Sequence, residues 1–369
     1  MLTTLAAALA GCGASGHAPH TASAAGPAAR TAATRPVTAA TWHAFYQWLK
    51  DRSAAGRFSG AALVARGDQV LLNAGFGAAD RATGTANTAG TAFCVASIGK
   101  LFTAVAIAQL VQDHRLSFGD TVGRYLTGFA PAVADHVTVA DLLDMTAGLG
   151  DAALAGPHPP ATLAGQLQLI EKERPSSRPG SSFLYSNDDY IVLGAIIERV
   201  ARQSYNVYVQ RHVLDPAGMT RTRLVPYTPA AVPGMAHGYA ATGTGLADIS
   251  GQLQLANPSG GAASTTGDLL RFARAVLGHR LLDAAMTAAV LTPRVSAPQP
   301  GGPPVDEYTY GFAYQAINDV TFVGHNGGTP GYEGQLDIYP ATGYVVAILT
   351  NTDQTLVPAI QRSEAILTR

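Results

Sequence analysis

The chain has 369 residues but two cysteines, Cys12 and Cys94, too few for a disulfide framework. Lysine is also scarce: Lys50, Lys100 and Lys172 are the only three. Charged residues make up 13% and the formal net charge is -1. No basic block of any length occurs, which argues against a nucleic-acid partner. No apolar run reaches the ~20 residues of a membrane-spanning helix. The ten histidines are scattered and form no His-Glu-x-x-His, so neither a metal site nor a cofactor is expected. The Gly-x-Ser-x-Gly elbow of an α/β-hydrolase is missing too.

What is present is enough for a large core. Hydrophobic residues make up 47%, and 40 Gly with 22 Pro imply many turns. The start, "MLTTLAAALAGC", ends in Leu9-Ala10-Gly11-Cys12. This resembles the lipobox of bacterial lipoproteins, in which the cysteine is lipidated and becomes the mature N-terminus. On that reading residues 1–12 are a signal segment and Cys12 is the lipidation site. The protein is then exported to the bacterial cell envelope, as a membrane-anchored lipoprotein, periplasmic or secreted. The alternative is an ordinary Ala-rich leader. Residues 13–40 are low-complexity Ala, Thr, Ser, Gly and Pro with almost no large apolar side chain. Such a segment reads as a disordered tether, which leaves 41–369 as the folded domain.

That domain opens on "TWHAFYQWLKDR", where Trp42, Phe45 and Trp48–Leu49 recur at helical spacing. "GAALVARGD" and "QVLLNAGFGAAD" follow as strands around a Gly67-Asp68 turn. Helical patterns interrupted by Pro-Gly loops run from about 115. Near the end, "YTYGFAYQAI", "VTFVGHNGG", "EGQLDIYP" and "GYVVAILTN" read as antiparallel strands, and "QTLVPAIQRSEAILTR" as a closing helix. The order implies an α/β (α+β) fold. One antiparallel sheet, completed by both chain ends and flanked by helices, carries an inserted all-helical domain. The helical part covers about 115–255, and the sheet part 41–114 with 256–369.

One of the three lysines lies in "CVASIGKLFTAVAIAQLVQ", within a predicted helix over 97–112 that is apolar on almost every side. Such a helix is buried. Ser97 falls at its start, a position that favours a capping serine, and Lys100 lies one turn on, on the same face. A buried ammonium is costly, and burial together with the positive helix terminus pushes a lysine towards the neutral amine. A neutral Lys100 can take the proton of Ser97, a nucleophile and its base one turn apart. The competing reading makes Ser97 a cap only and sends Lys100 to solvent or a salt bridge.

Two further stretches bear on that choice. "PGSSFLYSNDDYIVLGAIIERV" sets Tyr185-Ser186-Asn187 just before a helix, where a phenol can relay a proton and an amide can bind a carbonyl or orient a lysine. "VTFVGHNGGTPGYEGQ" runs off a strand into a glycine-dense turn, where a substrate can approach the backbone. A strand-edge N–H and the N–H of the helix-start serine would together form an oxyanion hole. Taken singly, Tyr185 could be packing against the helix, Asn187 a cap, and His325 a strand-end histidine with a local partner. Cys94 sits in an apolar context and reads as packing.

In this order the three stretches resemble the penicillin-recognising serine hydrolases: the beta-lactamases, the D,D-peptidases and their esterase and aminopeptidase relatives, with the class C beta-lactamase branch nearest. The resemblance spans about 43–367. It rests on Ser97-Ile98-Gly99-Lys100, Tyr185-Ser186-Asn187 and His325-Asn326-Gly327, and lesser likeness lies in "DLLDMTAGL", "DPAGMTRTRL", "SGGAASTTGDLLRF" and "YGFAY". It implies a beta-lactamase/transpeptidase-like fold and a hydrolase working through an acyl-enzyme on an ester, amide, D-amino-acid peptide or beta-lactam. Ser97 is then the nucleophile, with Lys100 and Tyr185 sharing the base role. The N–H groups of Ser97 and Gly328 form the oxyanion hole, and Asn187, His325, Asn326 and Gly327 line the substrate site. The implied partner is a small molecule or short peptide, with membrane attachment only through Cys12. Two departures stand out. His325 replaces the usual lysine, which disfavours antibiotic hydrolysis, and "MTAGL", with Met145 and Ala147, receives no catalytic assignment. The alternative is a non-hydrolytic envelope protein of penicillin-binding type that binds or senses a ligand.

Overall fold

The computed structural model describes residues 37–156, 160–224, 228–243, 245–252, 256–298 and 306–369. Cys12 and most of the expected tether lie outside them. Helix α1 (Ala39–Ala54) starts at Thr38, whose hydroxyl accepts from the Thr41 N–H. It therefore takes in Ala39 and Ala40, which composition had assigned to the tether. The same alanines that read as low complexity are the strongest helix formers.

The main sheet has eight strands: β1 (Gly60–Arg66), β2 (Gln69–Phe76), β3 (Val295–Ser296), β4 (Glu307–Tyr308), β5 (Ala313–Ile317), β6 (Val320–Thr329), β7 (Tyr332–Tyr339) and β8 (Tyr344–Thr350). Their spatial order is β2-β1-β8-β7-β6-β5-β4-β3, and every pairing is antiparallel. The first strand lies against the last, from Gly60 opposite Thr350 to Arg66 opposite Tyr344. Both ends of the folded chain thus complete one sheet, as expected.

Side chains alternate across the strands and feed two cores. On one face Val64, Phe322, Val346 and Ile348 pack with Trp42, Phe45 and Leu49 of α1 and with Ile360 and Leu367 of α5 (Val357–Leu367). On the other face Leu63, Leu336, Ile338 and Leu349 belong to the larger core, which also takes in α2 (Lys100–Gln112). Helix α2 is buried from Lys100 to Ala108, each large apolar side chain contributing about 1.5–3 kcal/mol. It also packs on α3 (Asn187–Ala201) and α4 (Thr266–Leu277), with the Phe102 and Phe272 rings 5.2 Å apart, edge to face.

Between α2 and α4 runs the insertion. Among its described residues the regular elements are helices, apart from a two-stranded hairpin, Tyr239–Thr242 with Gly245–Asp248, and the short strand Ala263–Ser264. Glycines at 243 and 245 break up the short apolar runs, so no strand alternation is readable there. The insertion returns beside its point of departure, Phe93 opposite Ser264 and Cys94 opposite Ala263. That return brings its last loop against the start of α2. Cys94 is buried, and burial pushes its thiol up to about 12, so it packs and does not react.

One buried carboxyl lies in the α5-side layer of the sheet. Asp337 on β7 accepts from Gln335 Nε2 at 2.5 Å, while its Oδ2 has no partner among the described residues. Burial, with Glu364 adding to it, raises its pKa to about 8. A carboxyl whose folded pKa lies above its unfolded one stabilises fully only below the unfolded value, and that stability is lost as pH rises towards the folded value. Relative to Asp337→Asn, wild type should therefore lose about 1.4 kcal/mol per pH unit between pH ~4 and ~8, measured by chemical denaturation of the two proteins. Parallel curves for the two proteins would show that Asp337 does not titrate in this way.

Candidate active site

Ser97 sits on a single 3-10 turn, Ala96–Gly99, that leads into α2. Ala96 has φ +44°, a strained left-handed value for alanine. The expectation that Ser97 caps the helix is corrected: Gly99 occupies the cap position and no side chain caps the terminus. Ser97 Oγ instead lies 3.4 Å from Lys100 Nζ.

Lys100 is fully buried. Its Nζ donates to Asn187 Oδ1 at 2.5 Å and to the Ser259 carbonyl at 2.7 Å. Both partners are oxygens with no hydrogen to give. A neutral amine has two N–H bonds and one lone pair. If the two N–H bonds go to these two oxygens, the lone pair is left for the Ser97 hydroxyl. Burial lowers the Lys100 pKa to about 7, with the charges of Asp151 and Asp189 opposing a deeper fall. The rings of Tyr185 and Tyr190 lie 4.8 and 5.4 Å from Nζ.

The loop that carries Tyr185 is strapped to the "MTAGL" segment: the Leu184 N–H donates to Met145 O at 2.9 Å. Met145 itself is buried with φ +60°. The segment given no catalytic role thus positions the tyrosine. Burial raises the Tyr185 phenol, although its hydrogen bond with Ser97 opposes the shift. The phenol stays protonated near neutral pH and can pass a proton on. Ser186 caps α3, accepting from the Asp189 N–H at 3.0 Å. Asn187 is then the first residue of the helix, so its amide is held towards Lys100 while its N–H meets Asp151 Oδ1 at 2.8 Å.

The third stretch arrives on β6. A Cβ on Gly327 would lie 2.3 Å from Val95 O and 3.0 Å from Ser97 N. Glycine is what lets the strand pass so close to the nucleophile turn. At Gly328 a Cβ would meet nothing within 4 Å, so this residue lies on the open side. His325 shares the α2-facing side of β6 with Gly327. Strand alternation puts the half-buried Asn326 on the opposite face, away from Lys100. His325 Nδ1 lies 2.5 Å from Asn326 O, which requires the proton on Nδ1. Nε2 lies 2.9 Å from the Tyr308 hydroxyl, which also reaches the Gly311 carbonyl at 3.2 Å. Burial and the neighbouring Lys100 lower the His325 pKa to about 3, so the ring is neutral near pH 7.

Three members of this site were not singled out from the sequence. Ser259 contributes a backbone carbonyl, which has no residue-type signature. Asp151 lies 36 residues before its partner Asn187. Tyr308 stands two residues before the "YGFAY" segment, and its hydroxyl lies 2.9 Å from His325 Nε2.

Comparison with known proteins gives the family and the fold. The family model described as beta-lactamase matches residues 45–368. Penicillin-binding protein 4 of Amycolatopsis lactamdurans is 29% identical over 306 residues, covering 79% of this chain and 80% of that protein. The crystal structure of a penicillin binding protein from Bacillus halodurans superposes with a TM-score of 0.75 at 26% identity, over 86% of this chain and 98% of that one. D-amino acid amidase from Ochrobactrum anthropi SV3, solved with D-phenylalanine, shares the fold at a TM-score of 0.79 and 21% identity, over 89% of this chain and 98% of that one. A family match over nearly the whole described domain, with relatives alike in sequence and in fold, places the chain in the beta-lactamase family of penicillin-recognising serine hydrolases.

Proposed function

We propose that the protein hydrolyses an ester or amide through an acyl-enzyme on Ser97. The observation that carries the reading is the setting of Lys100 Nζ, with two carbonyl oxygens holding its hydrogens and Ser97 Oγ as its third neighbour. Neutral Lys100 takes the hydroxyl proton as Oγ bonds to the substrate carbonyl carbon. The N–H groups of Ser97 and Gly328 receive the oxyanion, each such donor contributing about 3–4 kcal/mol. As the tetrahedral intermediate collapses, the bond to the leaving oxygen or nitrogen breaks. That atom takes the proton back from Lys100 by way of Tyr185. Water, deprotonated by the same pair, then cleaves the acyl ester and restores Ser97.

A neutral His325 supplies no cation for a substrate carboxylate, so esters and amides fit better than beta-lactams or peptides with a free C-terminal carboxylate. In this reading Cys12 would anchor the protein at the cell envelope.

The test is a fluorophosphonate probe followed by peptide mass spectrometry, with turnover of p-nitrophenyl acetate, D-alanyl amide and nitrocefin measured alongside. Label on Ser97 together with turnover of the ester or the amide is expected. Label on another serine would remove the mechanism. Label on Ser97 without turnover of any substrate would favour a non-hydrolytic binding protein.

A further inference from the structure

A cleft of about 900 Å³ lies in the insertion, between the short helix Pro131–Ala134 and residues 174–179. No residue assigned to the chemistry lines it. We infer that it binds an organic phosphate, through the guanidiniums of Arg174 and Arg178 and the imidazole of His136. All three side chains are exposed, and none makes a hydrogen bond or ion pair among the described residues. The neighbouring carboxylates are turned elsewhere. Glu171 lies against Gly128, Glu173 accepts from the Gly150 N–H at 3.2 Å, and Asp141 accepts from the Thr138 N–H at 2.8 Å. Asp135, beside His136 in the chain, forms no ion pair with either arginine. Two positive charges thus share one concave surface with no ion-paired anion of the protein to balance them, which concentrates their field in the cleft.

The wall that carries the arginines is fixed. Pro175 and Pro179 restrict its backbone. The Ser176 N–H and hydroxyl both donate to Gly148 O, at 2.8 and 3.0 Å, and the Gly180 N–H donates to Thr146 O at 2.9 Å. Arg174 and Arg178 therefore start from a held backbone, and binding has only their side chains to order. A guanidinium presents a fork of N–H donors that matches phosphate oxygens two at a time, and the imidazole adds a further N–H. A phosphate monoester carries close to two negative charges at neutral pH. That balances both arginines, whereas a carboxylate balances one. The cleft is far larger than a bare ion, and Pro131, Pro175 and Pro179 give it apolar sides against which an organic body can lie. A free phosphate ester and the headgroup of phosphatidic acid offer the same chemistry.

The test is calorimetry on the full chain with glycerol 3-phosphate, inorganic phosphate and glycerol as titrants. Sedimentation with phosphatidylcholine vesicles, with and without phosphatidic acid, runs alongside. Glycerol 3-phosphate should bind more tightly than inorganic phosphate, and glycerol should not bind. Arg174→Gln and Arg178→Gln should each raise Kd about tenfold, the worth of one hydrogen-bonded contact to a charged group. Both side chains are exposed, so these variants should melt with wild type, and any turnover of p-nitrophenyl acetate should be unchanged. Ser97→Ala should bind like wild type, which separates this cleft from the nucleophile. Capture by phosphatidic acid vesicles that is lost in the double arginine variant would make the lipid headgroup the source. Binding of glycerol 3-phosphate without capture would make it a soluble ester. The proposal is overturned if glycerol 3-phosphate shows no saturable binding up to about 10 mM and the vesicles capture nothing. Binding that the double variant leaves unchanged would overturn it as well.

Discussion

Lys100→Met should reduce kcat/KM by about 10²–10⁴-fold, the usual contribution of a positioned general base. Methionine fills most of the same buried volume and has no basic nitrogen. The change leaves Asn187 Oδ1 and the Ser259 carbonyl without their donor, at a cost to stability of about 1–3 kcal/mol for each oxygen that finds no water. Circular dichroism and a melting curve separate that loss from the catalytic one. Lys100→Arg should fail equally, since a guanidinium keeps its proton at any working pH. The pH dependence follows from the same group. Lys100 is active deprotonated and its pKa is lowered to about 7. With a substrate that does not itself titrate, kcat/KM should rise tenfold per unit below pH ~7 and level off above it. Asp151 opposes the fall in that pKa, so Asp151→Asn should move the midpoint to lower pH. A wild-type profile that is flat from pH 5 to 8 would show that the amine is already neutral throughout, or is not the base.

Much of this was legible in the chain because it depends on spacing. Ser97 and Lys100 are one turn apart on a run that is apolar all round. Only tertiary burial satisfies such a run, and burial is also what neutralises an amine. Sheet strands announce themselves similarly: β7 and β8 alternate or run apolar between turn residues, and their register follows from which face must be dry. Where the sequence misled, the local signal was ambiguous. A serine ahead of an apolar helix is usually a cap. At Ser97 the chain takes a 3-10 turn instead, after an alanine at φ +44°, a conformation that alanine does not advertise. Strand alternation likewise separates His325 from Asn326, which a motif read as three consecutive letters treats alike.

Other parts were not legible because they are backbone groups or distant partners. The Ser259 carbonyl reaches Lys100 only because the insertion closes on itself through Phe93–Cys94 and Ala263–Ser264. Tyr308 on β4 reaches His325 on β6 across the intervening β5, 17 residues apart in sequence. The histidine at the usual lysine position suggested a mostly neutral group. That it carries no charge for the substrate follows from its burial beside Lys100, which only the folded chain shows.

Ser97→Ala should have the largest effect, a loss on the order of 10⁶-fold in kcat, as when the nucleophile of a serine protease is removed. Ser97 is half-buried and caps nothing, so deleting its hydroxyl should leave stability within about 0.5 kcal/mol of wild type. Its side-chain hydrogen bonds among the described residues, with Lys100 and Tyr185, belong to the chemistry. The variant therefore separates site from scaffold more cleanly than any other in this chain. Fluorophosphonate labelling should vanish with it. The pKa of Lys100 should barely move, because burial and not the serine lowers it. In a Ser97→Ala, Lys100→Met double variant the losses should be far from additive, since a base with no hydroxyl to deprotonate contributes little. Full additivity would mean that the two residues act independently, and the shared proton would have to be abandoned.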